Sequence, residues 1–163
     1  MAEQPLKIDI IIRPPIDTVI PADLQDYAGR QMEIAMRKST LAVHGEVVKR
    51  TPHAFGILRA SILPETVVDN TSITGYVSTA LPYAVPVEYG SKPHWTPIGP
   101  LMLWAQRKLG DYRIAFPVQK AIARRGTRAH RMFQEGFEVA LGHVQKIFET
   151  VVDKIEKRWK SGN

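Results

Sequence analysis

Residues 137–155 read FEVALGHVQKIFETVVDKI, and this stretch decides the fold. Its apolar side chains follow one another at intervals of 4, 3, 4, 3 and 4 residues, which places them along one face of an α-helix. Phe133 and Trp159 extend this seam at both ends, so the pattern predicts a helix of about 30 residues, roughly 45 Å long. We expect it to pack across a sheet and against a second long helix. The seam consists of Phe137, Leu141, Val144, Phe148, Val151 and Ile155.

A second long helix is predicted over residues 22–50, which contain no proline. Asp23 and Asp26 lie in its first turns, and Lys49 and Arg50 lie in its last turn. This order of charges matches the helix dipole at both ends. The threonine–proline pair at positions 51–52 ends the helix, because the residue before a proline disfavours helical backbone angles.

Short stretches rich in β-branched residues predict a small antiparallel sheet. Residues 7–12 form the predicted opening strand, which two consecutive prolines at positions 14 and 15 end. Residues 57–63, 65–69 and 73–78 predict two or three further strands, with turn-forming residues between the last two. Residues 81–90 contain two prolines and therefore predict a short helix or turn that ends at its glycine.

The next part of the chain predicts a helical insertion, residues 97–126. A proline-rich loop at residues 91–100 leads into it, and two short helices follow at 101–109 and 117–125, each ended by a glycine. Thr127 is predicted to cap the final helix. The fold class is therefore α+β: one domain with a small antiparallel β-sheet packed by two long α-helices, a short helical insertion and a disordered tail at 160–163.

Composition excludes several classes of protein. The 163 residues include no cysteine, so neither a disulfide framework nor a thiolate metal site is possible. The apolar runs are too short to cross a bilayer, and the first residues do not have the pattern of a signal peptide. We therefore expect a cytosolic protein, or part of an assembly built in the cytosol.

The net charge of +6 is concentrated in one segment. Residues 107–131 hold eight lysine and arginine residues and a single acid, Asp111. Such a segment favours phosphate, an acidic partner or an acidic neighbouring subunit, although a solvated surface would have the same composition.

Motifs for catalysis are missing. None of the five histidines has the tight spacing of a metal site, and the sequence contains no GxSxG, no Walker A loop and no GxGxxG. We therefore predict no enzyme activity, no catalytic residue, no metal and no cofactor. Zinc-finger and RNP motifs are also missing, but Trp95 and Trp104 could stack on bases or anchor an interface.

Three blocks of sequence resemble a known family. They are residues 51–62, TPHAFGILRASI; residues 83–91, YAVPVEYGS; and residues 122–127, IARRGT, followed by Phe133. In this order they resemble the tail-component family of long-tailed double-stranded DNA phages and prophages, also called tail-completion or head–tail joining (neck) proteins. The resemblance covers roughly residues 22–160. It departs from the family pattern at 54–55 before the first glycine and at Ser91, where threonine is usual.

The resemblance implies a structural protein of the virion, assembled in the host cytoplasm without a membrane partner. It would form a ring, expected to be a hexamer, in the neck or upper tail. The ring would join the head-closure (connector) protein to the tail terminator or tail tube protein, and genomic DNA would touch it without sequence preference. The alternative that the composition leaves open is a free-standing basic nucleic-acid-binding protein.

Two sets of candidate site residues follow. The first is a subunit or partner interface, in which Arg59 and Glu88 are expected to form an ion pair with each other or with a neighbouring subunit. The second faces either the DNA channel or an acidic partner. The interface set is Arg59, Tyr83, Glu88, Tyr89 and Trp95, and the basic set is Arg124, Arg125, Arg128 and Arg131.

Overall fold

The computed structural model describes residues 6–12, 22–53 and 56–161 of the chain. Its architecture is α+β, with two long helices, four shorter ones and a small antiparallel sheet in this part of the chain. A 3₁₀ turn at Tyr112–Ile114 precedes α5. The helices and strands are β1 Leu6–Ile12, α1 Ala22–Arg50, α2 Ile57–Ser61, β2 Leu63–Val68, β3 Ile73–Thr79, α3 Ala84–Tyr89, α4 Ile98–Leu109, α5 Ala115–Arg125 and α6 Met132–Ser161.

The two long helices, α1 and α6, pack side by side in opposite directions. Near one end Gly136 of α6 lies against Val47 of α1, and near the other the Arg158 guanidinium lies 5.7 Å from the centre of the Tyr27 ring. A Cβ atom at Gly136 would lie 2.7 Å from a methyl group of Val47, so the absence of a side chain lets the helices approach. Most of the apolar seam on α6 therefore has the partner that its spacing predicts, whereas Leu141 is 40% exposed.

The sheet has the strand order β1-β3-β2, and both pairings are antiparallel. β3 lies in the middle, and α1 packs against it and against β2, while α6 reaches β1. Gly75 of β3 lies directly under α1, where a Cβ atom would collide with the side chain of Thr40. Val77, two residues along the same face, is 1% exposed and belongs to the core.

The core lies between the two long helices and the sheet, and short elements close its end. Leu58 and Ile62 enter it from α2 and the residue that follows, and Ala84 enters it from α3. This cluster accounts for Leu58, Ile62 and Ala84 in the first two motif blocks. Its buried members are Val43, Val47, Leu58, Ile62, Val77, Ala84, Met132, Phe133, Ala140 and Val144.

Several sequence predictions are confirmed. The helix at 22–50 has the predicted bounds, and the predicted opening strand at 7–12 lies within β1. α3 ends before Gly90, and α5 ends before Gly126. None of the helices in the described ranges is both long and apolar enough to cross a membrane.

The strand predicted at residues 57–63 is wrong, because Ile57–Ser61 is a helical turn. Its backbone is closed by a hydrogen bond from Ala60 N–H to Gly56 O of 3.0 Å. In a strand, Ala60 would point to the same side as Leu58 and Ile62, since successive side chains alternate. In the helical turn those two apolar side chains are buried while Ala60 is exposed, which suits its small size.

Three predicted boundaries also differ. α4 begins at Ile98, inside the predicted loop at 91–100, and Pro97 precedes it. α6 begins at Met132, so Thr127 is not its cap. The tail predicted at 160–163 is helical as far as Ser161, and residues 162–163 lie outside the described ranges.

The predicted insertion at residues 97–126 forms an arm, made of α4, the 3₁₀ turn and α5. These elements pack mainly on one another. The amide of Gln119 donates a 2.7 Å hydrogen bond to Thr96 O, which ties α5 to the loop that enters the arm. An antiparallel bridge between Ser91 and Thr127 closes the arm at its base.

Two glycines of α6 offer a matched test of the helix contact. We expect Gly136→Ala to lower the free energy of unfolding, because overpacking against Val47 costs about 1–3 kcal/mol. Gly142 has nothing within 4 Å of a built Cβ atom, so Gly142→Ala should raise that free energy by about 0.5–1 kcal/mol through helix propensity. Urea unfolding measures both, and a gain in both variants would contradict the close contact.

Candidate interaction site

The second and third motif blocks are bound to each other. Ser91 and Thr127 exchange two backbone hydrogen bonds, with N···O distances of 3.2 and 3.1 Å. Three residues further on, His130 N–H donates to Val87 O at 2.9 Å. Residues 87–91 and 127–134 therefore run against each other, and they join α3, the base of the arm and the start of α6 into one unit.

Glu88 caps the last helix. Its side chain is buried, at 2% exposure, and its two carboxylate oxygens accept hydrogen bonds from Phe133 N–H at 2.9 Å and Gln134 N–H at 3.0 Å. The first backbone N–H groups of a helix have no partner within it, and they form its positive end. A buried carboxylate from α3 therefore does for α6 what Thr127 was predicted to do.

Thr127 has a different contact. It lies five residues before α6 begins, and its hydroxyl donates to the Ser91 hydroxyl at 3.0 Å. The backbone turns out of the helical direction at Arg131, which has a φ of 46°. Because of this distance and this turn, a side chain at position 127 is not the cap of the helix.

Glycines in the same two blocks allow the close approach. Gly90 has a φ of 79°, and a Cβ atom on it would lie 2.6 Å from Thr127 O. Gly126 has a φ of 73°, and a Cβ atom there would overlap Ser91 O. Both positions need a left-handed backbone and the absence of a side chain, which only glycine combines.

Arg59 holds the end of the first long helix. Its Nε donates to Thr51 O at 2.8 Å, and its second terminal nitrogen lies 3.5 Å from Lys49 O. Carbonyl groups in the last turn of a helix have no partner within it, and a guanidinium satisfies them.

The ion pair expected between Arg59 and Glu88 is therefore not formed within the subunit, since each charge is used at the end of a different long helix. Nothing in the sequence marks which backbone groups these two charges meet. Glu88 and Phe133 are 45 residues apart, so no local pattern joins them.

The aromatic residues of the interface set are on the surface. Tyr83 precedes α3 and is 45% exposed, Tyr89 ends α3 and is 68% exposed, and Trp95 lies in the following loop at 69% exposure. Large exposed aromatic rings are typical of the central contacts in protein interfaces. The structure thus places the three rings before, at the end of and after α3, while Arg59 and Glu88 are bound within the chain.

The basic set lies at the base of the arm. Arg124 and Arg125 end α5, and Arg128 and Arg131 lie in the segment before α6. All four side chains are exposed, and none forms an ion pair with any residue in the described ranges. Their charge is therefore not neutralised within this part of the chain and is available to phosphate or to an acidic protein surface.

Apolar surface is exposed on several elements besides α3. Large hydrophobic side chains that are at least 40% exposed occur on both long helices, on β2 and on the arm. Such side chains mark contacts with other chains where they adjoin one another, whereas single scattered ones are normal on a protein surface. Outside α3 and its loop, such residues include Ile34, Leu41, Leu63, Val67, Val68, Leu103, Leu109, Phe116, Val139, Leu141, Val152 and Trp159.

Glu88→Gln tests the cap on α6. The amide would turn an N–H₂ donor toward a backbone N–H, leaving one donor unsatisfied, so we expect the free energy of unfolding to fall by about 1–3 kcal/mol. Glu135→Gln removes an exposed charge from the same first turn, and its expected cost is only about 0.3–1 kcal/mol. Urea unfolding gives both values, and amide exchange at Phe133 and Gln134 should become faster only in the first variant. Equal losses in the two variants would contradict the capping role.

The site is thus a rigid support with two kinds of exposed surface, one aromatic and one basic. Among the described residues, no three histidine, aspartate or glutamate side chains are grouped as they would be to hold a metal ion. Comparison with known proteins finds no family model, no curated protein and no solved structure that matches the chain.

Proposed function

We propose that the chain is a structural subunit of the neck or upper tail of a long-tailed double-stranded DNA phage. In this proposal it forms a ring that joins the head-closure (connector) protein to the tail terminator or tail tube. The observation that carries the proposal is that the motif blocks both support the fold and expose aromatic surface. Their polar and glycine positions hold the helix ends and the arm together, and the two tyrosine rings of the second block remain outside.

A ring subunit needs this division between support and surface. Each copy has to bury one patch against each neighbour, and its two ends have to meet different proteins. Exposed apolar side chains on α1, α6, β2 and the arm supply patches in several directions. The rigid unit formed by residues 87–91 and 127–134 would keep the orientation of the arm the same in every copy.

The basic set fits a channel through which DNA moves. Phosphate contacts attract DNA without selecting a sequence, so the duplex can slide past them. The four arginines of the set are exposed and free of ion pairs within the described part of the chain, as such contacts require. They are Arg124, Arg125, Arg128 and Arg131. In this proposal they face the channel or an acidic surface of the adjoining ring.

The alternative function is that of a free-standing basic nucleic-acid-binding protein. The observation in its favour is that the chain exposes a tryptophan ring as well as the arginines. Trp95 is 69% exposed and could stack on bases. Such a protein would bind DNA as a monomer or dimer, whereas a ring subunit would bind it weakly until assembled.

Solution mass separates the two functions. Light scattering at low and physiological salt, with and without duplex DNA, should show a discrete ring-sized multimer of the 18.3 kDa chain whose mass does not depend on DNA. The affinity of a free-standing binder would instead fall steeply with salt, by about 0.9 logarithmic units per logarithmic unit of salt for each phosphate contact. A monomer or dimer with that behaviour would replace the ring proposal with the alternative.

Three of the four arginines in the basic set are tested together by the substitutions Arg125→Gln, Arg128→Gln and Arg131→Gln. We expect unchanged mass and unchanged thermal unfolding but a loss of joining, because these side chains are exposed and form no ion pair with the described residues. Plaque formation by a phage that depends on the variant measures joining. The control is Lys146→Gln, Lys154→Gln and Lys157→Gln, which removes the same charge from the exposed surface of α6. Normal plaques with the arginine variant, or equal losses in the two variants, would contradict a role for the basic set.

A further inference from the structure

One flank of α6 carries an apolar stripe that its own chain leaves partly exposed. Leu141, Phe148, Val152 and Trp159 follow one another at intervals of 7, 4 and 7 residues, so they share a side of the helix. Leu141, Val152 and Trp159 are 40%, 46% and 41% exposed. Phe148 and Val152 border an open groove that is also lined by Glu149 and Asp153.

Four acids lie beside this stripe between residues 138 and 156, and two of them form no ion pair with the residues that the structure describes. Glu156 pairs with Lys160 at 3.6 Å, and Glu138 accepts a hydrogen bond from Gln134 at 3.0 Å. The other two, Glu149 and Asp153, lie one helical turn apart and form no ion pair with the residues that the structure describes. We refer to the surface formed by Phe148, Glu149, Val152 and Asp153 as the acidic flank of α6.

α5 carries a surface of the opposite kind. Phe116, Lys120 and Arg124 recur every four residues, so they lie along one side of the helix, and the Phe116 ring is 49% exposed. Lys120 and Arg124 are exposed and form no ion pair within the described ranges. We refer to these three residues as the outer face of α5.

The two surfaces are complementary in charge and in spacing. Each has two like charges one helical turn apart, a separation of about 6 Å along the helix, and each has a large apolar side chain next to them. Packing one surface on the other would pair two cations with two carboxylates and remove Phe116 and Val152 from water. Within one subunit α5 packs mainly on the rest of the arm, so its outer face is not used by its own α6.

We propose that the outer face of α5 in one subunit docks on the acidic flank of α6 in a second copy of the chain. This inference rests on the proposed ring and specifies its contact between subunits. The two copies use different surfaces, so the same contact repeats from copy to copy and closes when the rotation allows. Complementary charges set the register of such a contact. Arg124 then belongs to the contact, and Arg125, Arg128 and Arg131 are left for the channel.

Disulfide trapping tests the contact directly, because the chain has no cysteine of its own. Lys120→Cys and Glu149→Cys are made as separate single variants, mixed and mildly oxidised. In the proposed docking Lys120 lies opposite Glu149 and Arg124 lies opposite Asp153, so the mixture should yield a disulfide between the two variants and little between two copies of the same variant. The second pair, Arg124 and Asp153, remains intact in both. Lys154→Cys, exposed on another side of α6, replaces Glu149→Cys in the control mixture.

We expect several-fold more crosslinked dimer from the test mixture than from the control. Equal yields, or no dimer in the test mixture, would overturn the docking. Because oxidation traps even transient contacts, this result does not depend on a stable ring.

Charge reversal distinguishes a failure of this contact from a failure of the proposed function. One variant carries Lys120→Glu and Arg124→Glu, and the other carries Glu149→Lys and Asp153→Lys. Each alone should lose the multimer, because like charges then face each other. An equal mixture should regain it with the two variants alternating, because both contacts between unlike variants are complementary. Multimers that persist in both variants would overturn the docking but leave the ring. A wild-type monomer that binds DNA tightly, with a steep salt dependence, would overturn the ring as well.

Discussion

The buried carboxylate of Glu88 at the start of α6 is the constraint on which the rest of the site depends. A charge without water is very unfavourable unless donors surround it, and the free N–H groups of a helix end are such donors. Because Phe133 and Gln134 provide them, α3 cannot move away from α6 without exposing an unpaired charge to the core. These two hydrogen bonds fix the start of α6 relative to α3. The Ser91–Thr127 bridge at the base of the arm joins the segments that follow α3 and precede α6, so its position is fixed as well.

The charges of the chain are sorted by position. Glu88 and Arg59 are drawn inward to the ends of the two long helices, where backbone groups satisfy them. Most of the remaining basic excess lies on the arm and just after it, while Glu149 and Asp153 on α6 form no ion pair with the described residues. A chain that keeps its opposite charges apart in this way leaves them for contacts between molecules, where they are screened by salt unless they are partly buried.

In the proposed assembly, the separated charges make two different kinds of contact. The outer face of α5 would meet a neighbouring copy, and the arginines nearer to α6 would meet DNA or another ring. Both surfaces rest on the same rigid support, so a change at the base of the arm is expected to affect both. The apolar side chains next to the charges matter as much as the charges do, since exposed ion pairs alone contribute little to stability.

The sequence by itself determined what depends on neighbouring residues. The spacing on α6, the charge order and proline boundary of α1, and the glycine ends of α3, α4 and α5 are local patterns, and the helices follow them. Only the tertiary structure decided that residues 57–61 are helical and that Glu88 rather than Thr127 caps α6. It also decided that Arg59 donates to the end of α1 and does not pair with Glu88. The physical reason is that a helix end or a buried charge needs a partner but does not specify where in the chain it comes from. The fold brings Glu88 to the N–H group of Phe133, 45 positions away, and no periodicity in the sequence predicts that contact.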